Sequence, residues 1–247
     1  MITLASALPN ITSSVLINGY TQPGSSQNDL DIGDDATICV VLDGSADHIA
    51  SGLVVTSGTA HVEGLAFSGF STAAVNFSGG SGHIVEGNHI GGSVGGVSLA
   101  PVGTGVDIGP GVSGVTVGGD DNRNRNIIGD ASSAAVNVFH ADNFVQAAHD
   151  NQIINNYIGV GWNMANSSFT NLAGNLGGIL VQGPNNTVGN NIVGFNRFGI
   201  VLAGTDATHN QVTSNFIGTS PVGDDLGNGA SGVYIGVDGH DNTVSSN

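Results

Sequence analysis

The sequence contains no lysine, only three arginines and only two glutamates. Against those three cations stand 19 acidic residues, for a formal net charge of −16, although just 9% of residues are charged. A chain this poor in cations has almost nothing with which to neutralise phosphates or anionic headgroups, so nucleic-acid binding and electrostatic membrane docking are excluded as main activities. Long hydrophobic runs are missing too. No window approaches the roughly 18 consecutive apolar residues of a spanning helix, and Met1-Ile2-Thr3-Leu4 opens neither a basic nor a long apolar leader segment. The single cysteine, Cys39, cannot form an intrachain disulfide, and within Thr37-Ile38-Cys39-Val40-Val41 it reads as a small core residue.

Abundant instead are 41 glycines, 27 asparagines and 17 aspartates. Gly and Asn disfavour helix interiors, and the good surface helix formers Lys, Glu and Met are nearly absent, so an all-β chain with many turns is expected. The 39% hydrophobic content suffices for a core of useful size.

Internal repeats decide the architecture. The phrase Asn-x-[Ile/Val]-Gly occurs at Asn88, Asn126, Asn156, Asn191 and Asn215, and Asn247 begins a further copy. After each phrase comes a small residue and an alternating apolar run, as in Gly105-Val106-Asp107-Ile108 and Gly178-Ile179-Leu180-Val181. A third apolar run, often after Asn or His, includes Val62, Ile84, Val117, Ile153, Val188, Val212 and Val244. Three short strands per 21 to 33 residues, joined by Gly- and Asn-rich corners, are what a parallel β-helix requires, with stacked coils about 4.8 Å apart. The reading is a solenoid of about seven to nine coils, occupying residues 1–247 as one domain, with N-terminal coils over 1–50 and paired coils over 51–247. Period two places Leu53/Val55, Val75/Phe77, Val106/Ile108, Val136/Val138, Ile179/Val181, Ile200/Leu202 and Val233/Ile235 inward. Asn88, Asn126, Asn156, Asn191, Asn215 and Asn247 form an expected asparagine ladder, each in the left-handed conformation with its amide bonded to the next coil.

From Gly52 the paired unit spans 53 residues to Gly105, 73 to Gly178 and 54 to Gly232, because every second coil carries a long loop. Those loops should emerge on one side, the natural location of a binding face.

In combination, Ile2-Thr3-Leu4, Ile17-Asn18-Gly19-Tyr20-Thr21-Gln22-Pro23-Gly24, Val40-Val41-Leu42-Asp43-Gly44 and Val115-Thr116-Val117-Gly118-Gly119 with Arg125-Asn126-Ile127-Ile128 resemble the right-handed parallel β-helix repeat proteins found as segments of large bacterial secreted and cell-surface proteins. The resemblance covers nearly the whole chain. It implies a right-handed helix and an extracellular or cell-surface setting, but no shared active site, since such repeats are defined by coil-building residues. Both ends look uncapped, which predicts either a piece of a longer chain or end-to-end self-association into filaments.

Several constellations are candidates for chemistry. The outward position of the alternating run reads Val54, Asn76, Asp107, Asn137, Leu180, Val201 and Tyr234, placing Asn76, Asp107 and Asn137 in one polar column. Carboxylates stacked on such a face serve catalysis in β-helix polysaccharide hydrolases and lyases, and His140, Asp142, His149 and Asp150 follow nearby. Asp120-Asp121-Asn122-Arg123 sets paired carboxylates beside arginine. If the chain is a polysaccharide lyase, epimerase or glycosidase, Asp107, Asp120, Asp121 and Arg125 are its catalytic candidates. Gly-Asp-Asp nevertheless occurs three times, as turn chemistry predicts. The x of Asn-x-[Ile/Val]-Gly gives an outward stripe of His89, Ile127, Tyr157, Ile192 and Phe216, either covered by the loops or open, with Trp162, to sugar rings or a partner surface. Asn76, Asp107, Asn137, Tyr157, Trp162 and Tyr234 are therefore the candidate ligand-binding residues. The eight histidines show no His-x-x-x-His spacing, so no zinc site is expected, and no cofactor beyond structural calcium held by corner oxygens. The expected role is a structural or adhesive segment that binds polysaccharide or another surface protein on its loop face.

Overall fold

The computed structural model describes residues 1–94, 97–139, 146–236 and 238–247; His140 and Asp142 lie outside them. Among these residues the chain winds through three parallel sheets, so that each strand pairs with its equivalent one coil away. Sheet 1 has eight strands from Ile2–Thr3 to Phe216–Ile217. Sheet 2 has seven, from Ser51–Val55 to Ser231–Ile235, and sheet 3 eight, from Val15–Asn18 to Thr243–Ser245. One coil passes from sheet 2 to sheet 3 to sheet 1. This is a parallel β-helix.

Register follows the sequence repeat. Val75, Val106, Val136, Ile179, Ile200 and Val233 are successive partners in sheet 2. Their side chains point into the tube, and one apolar cluster runs from Leu4 to Val212 with Val233 packed against it. In sheet 3 the residue that faces inward beside Ile84 is Val85, fully buried, while Ile84 pairs with His61 on the outer face. Two expectations change. Ile235 is 48% exposed, because its strand ends sheet 2 with a neighbour on one side only, whereas at the other end Ile11 bridges to Val55. Cys39 is also exposed rather than core, since it lies just before the sheet 1 strand Val40–Asp43.

The asparagine ladder is present. Nδ2 of Asn88, Asn126, Asn156, Asn191 and Asn215 each donates to Oδ1 of the next ladder residue, ending at Asn247, at 2.8–3.1 Å. Each Oδ1 also accepts the backbone N–H of the coil before it, as Asn156 does from Asn126 at 3.2 Å. Two more ladders were not foreseen: Asn151, Asn186, Asn210 and Asn242 before sheet 3, and Asn175, Asn196 and Asn228 before sheet 2. His83 takes the equivalent corner position of the first of these, two coils earlier, with Nδ1 accepting the N–H of Ala60 at 3.1 Å and its ring stacked on Phe77. The ladder asparagines themselves are not left-handed. That conformation falls on the residue before most of them, as in Asn155 (φ 58°), Asn190 (φ 56°), Asp150 (φ 55°) and Phe195 (φ 61°), whereas Arg125 before Asn126 has φ −57°. The sharp corner is made there, which frees the following asparagine to turn its amide along the stack.

Long loops alternate as the spacing predicts. The antiparallel hairpins Ser93–Val94 with Val97–Ser98 and Val160–Asn163 with Ser168–Asn171 leave the corner between sheets 1 and 2 on alternate coils. No helix among the described residues is long and apolar enough to cross a membrane.

Candidate functional site

Residues 19–39 form a strap that leaves the first sheet 3 strand and crosses the outer corner of several coils before joining Val40. Its anchor is Arg125, which is 4% exposed. The guanidinium donates through Nη1 to the carbonyls of Gly33 (2.6 Å) and Leu30 (3.3 Å), and through Nη2 to Asp31 O (2.9 Å) and Asn122 Oδ1 (3.1 Å). It also lies over the Tyr157 ring, 4.4 Å from the centroid. The Tyr157 hydroxyl accepts the N–H of Gly33 at 2.8 Å, and burial pushes its phenol pKa up. Gly33 sits at φ +106°, where a Cβ would come within 2.5 Å of Trp162, so both backbone freedom and space require glycine.

The strap and loops together bury the outward stripe. Ile127, Tyr157 and Ile192 are 2–4% exposed and join Val160 and Leu172 of the long hairpin and Leu226 in a second apolar cluster. His89 is buried as well, while Phe216 remains 40% exposed. The covered reading of the stripe is the one the structure adopts.

Between strap residues 34–37 and hairpin residues 161–165 lies a cleft of about 440 Å³, floored by His89 and Ile127. That volume is in the range of small-ligand sites. In it, His89 Nε2 lies 3.0 Å from Asp34 Oδ2, and both side chains are more than nine-tenths buried. Among the described residues His89 Nδ1 has no hydrogen-bond partner, nor has Nε1 of Trp162, whose side chain lines the cleft. Trp162 is held edge-on by Phe169 (5.0 Å), which in turn meets Tyr157 (5.5 Å). Asp35, Thr37 and Asn163 supply polar groups to the lining. Buried polar atoms normally find partners, which makes these two exceptions to the general pattern of the core.

No protein-family model, curated protein or solved structure matches the chain. The site therefore has to be read from its own geometry.

Of the residues singled out in the sequence, the structure brings Trp162 to the cleft and places Arg125 and Tyr157 under the strap beside it. Asp120 and Asp121 are exposed at the corner between sheets 3 and 1, where Asp121 caps the 3₁₀ turn Asn122–Asn124 by accepting the N–H of Arg123. Tyr234 is exposed on the last sheet 2 strand, 6.2 Å from Phe198. Asp107 lies on the outer face of sheet 2, and both its oxygens are taken: Asn76 donates to Oδ2 (3.0 Å) and Asn137 to Oδ1 (2.8 Å). Asp107 on sheet 2 is thus apart from the other catalytic candidates, while Asp120, Asp121 and Arg125 flank one turn, the two aspartates exposed and the arginine buried under the strap. Sequence reasoning missed Asp34 and Asp35, which look like one more Gly-Asp-Asp turn until the strap is placed.

Burial raises the Asp107 pKa, and the two asparagine amides only partly offset this. The folded state therefore holds the Asp107 proton more tightly than the unfolded state does, and stability falls as pH rises through the raised value. Asp107→Asn should melt at a higher temperature than the parent at pH 7. That gap should close as pH is lowered towards the ordinary carboxylate value of 3.8. Equal melting temperatures at pH 7 would show that the charge carries no cost.

Proposed function

We propose that the chain is a structural and adhesive segment of an extracellular bacterial surface protein, and that it binds neutral carbohydrate in the cleft between strap and hairpin. The observation carrying this is the cleft itself: a rigid solenoid presents an aromatic wall and two carboxylates in a space of about 440 Å³. Sugars offer both an apolar ring face and dense hydroxyl donors and acceptors, which suits Trp162 together with Asp34, Asp35, Thr37 and Asn163. Neutral sugars are favoured over acidic ones because the chain carries a net charge of −16 and Asp34 and Asp35 line the cleft. The self-bonded ladder of Asn76, Asp107 and Asn137 supports a structural role for the sheet 2 face.

The only tryptophan is Trp162, so intrinsic fluorescence reports on the cleft directly. A panel of neutral and acidic oligosaccharides should contain a neutral member that changes this emission saturably, with a dissociation constant in the roughly micromolar to millimolar range. Asp35→Ala, which keeps the reporter, should weaken binding about tenfold or more. Silence across the panel would refute the carbohydrate reading. Release of new sugar ends, abolished by His89→Asn, would replace the adhesive reading with an enzymatic one based on the Asp34–His89 pair.

A further inference from the structure

The chain has only two glutamates, and the fold sets them side by side. Glu63 ends the sheet 3 strand Ala60–Glu63, Glu86 ends the next strand Ile84–Glu86, and the two are direct register partners. Both lie on the outer face, since Val62 and Val85 between their neighbours point inward. Like charges directly opposite on one face repel. His61 shares that face two residues before Glu63, with Nε2 at 2.9 Å from Glu86 Oε1 and 3.9 Å from Glu63 Oε2.

No other cation among the described residues offsets the pair. Arg125 is spent on the strap, Arg123 pairs with Asp29 at 3.3 Å, Arg197 lies over Phe198, and the chain has no lysine. The Glu63 side chain is 12% exposed, and no donor among the described residues comes within hydrogen-bonding distance of its carboxylate, which leaves its oxygens open to a ligand. Glu86, by contrast, is oriented: Asn124 Nδ2 donates to its Oε2, leaving Oε1 turned to His61. Tyr20 packs over the adjoining corner but donates its hydroxyl to Gly87 O at 2.6 Å, so it shields the cluster without entering it.

One ligand atom from each of His61, Glu63 and Glu86 lies within 4.8 Å of the other two. Ligands about 2.0–2.1 Å from a tetrahedral ion stand roughly 3.3 Å apart, and the two separations from His61 Nε2, 2.9 and 3.9 Å, bracket that distance. We propose that His61, Glu63 and Glu86 bind a divalent transition-metal ion of the zinc type, with a fourth position open to water. One imidazole nitrogen and two carboxylates form a donor set for such an ion, whereas calcium takes six to eight oxygens. The Asn124 contact to Glu86 supplies the outer-shell support that metal-binding carboxylates use. The inference is independent of the carbohydrate cleft.

The test is titration of the full, metal-free chain with Zn²⁺ against a chromophoric chelator, and with Co²⁺ read by its visible absorption. One ion per chain is expected, with affinity of about micromolar or tighter and a tetrahedral Co²⁺ spectrum. Glu63→Gln and His61→Ala should each weaken binding by roughly tenfold or more, while His240→Ala, at the exposed His240–Asp241 pair, should not. Far-UV circular dichroism of the metal-free variants checks folding, and the Co²⁺ spectrum of the unaltered chain stands even where a variant fails to fold. Absence of saturable binding below about 100 µM would overturn the proposal. So would binding unmoved by Glu63→Gln, or displacement of Zn²⁺ by an equal concentration of Ca²⁺.

Discussion

Asn156→Ala lowers the stability of the chain by roughly 3–5 kcal/mol, measured by denaturant unfolding against the parent. The side chain is fully buried and makes five hydrogen bonds. Its Nδ2 donates to Val117 O, Ile154 O and Asn191 Oδ1, and its Oδ1 accepts from the backbone N–H and Nδ2 of Asn126. Alanine leaves the Asn126 N–H without that acceptor in a place water does not reach, and an unsatisfied buried group alone costs about 1–3 kcal/mol. The void left by the amide adds to this. Asn156→Asp keeps the acceptor atoms but loses every donor and introduces a charge facing two carbonyls, so it should be no better tolerated at pH 7. Asn163→Ala, on the exposed hairpin, should stay within about 0.5 kcal/mol of the parent. If Asn156→Ala costs less than about 1 kcal/mol, the ladder is a consequence of stacking and not a support for it.

The second large effect concerns the strap. Arg125→Ala should cost about 3–5 kcal/mol, because removing one partner of a buried, multiply bonded charge strands the others. The carbonyls of Leu30, Asp31 and Gly33 lose their shared donor, and the Tyr157 ring loses the guanidinium above it. The loss falls on the strap more than on the coils, whose own ladders and core are intact, so the expected signature is local opening. Limited proteolysis should cut within residues 19–39 while the coils resist. Trp162 emission should shift to the red as Gly33 leaves its ring, and sugar binding should go with the cleft wall. Arg125→Lys should not rescue, because a single ammonium cannot reach three carbonyls and lie flat on a ring. A strap that remains protected from protease in Arg125→Ala would show that apolar cover alone holds it.

The solenoid was legible because its signals are local and repeated. A strand register error would turn every inward valine outward, so the period-two runs and the recurring Asn-x-[Ile/Val]-Gly phrase together left little choice of architecture. The two further asparagine ladders were less visible, since Asn151, Asn186, Asn210 and Asn242 recur without a fixed phrase behind them. Asn175, Asn196 and Asn228 are hidden at the ends of loops of unequal length. Cys39 was misread because an apolar run beside a strand does not say which way one residue faces.

Composition and repeat determined, without coordinates, that the chain is all-β, that it stacks into parallel coils, that a buried asparagine column runs along one corner, and that long loops alternate. Those outcomes depend on backbone propensity and on contacts between equivalent positions, which a repeat displays in one dimension. The tertiary structure alone decided where the nonrepeating parts go. Residues 19–39 carry no periodic signal, yet Arg125 and Tyr157, some ninety residues and more away in sequence, hold them across the stripe and create the cleft with Asp34, His89 and Trp162. Glu63 and Glu86 likewise stand 23 residues apart and meet His61 only because one turn of the solenoid returns the chain to the same face. Sites of that kind are assembled by coil closure between residues that are distant in sequence, and no spacing rule read along the chain records which distant residues the closure brings together.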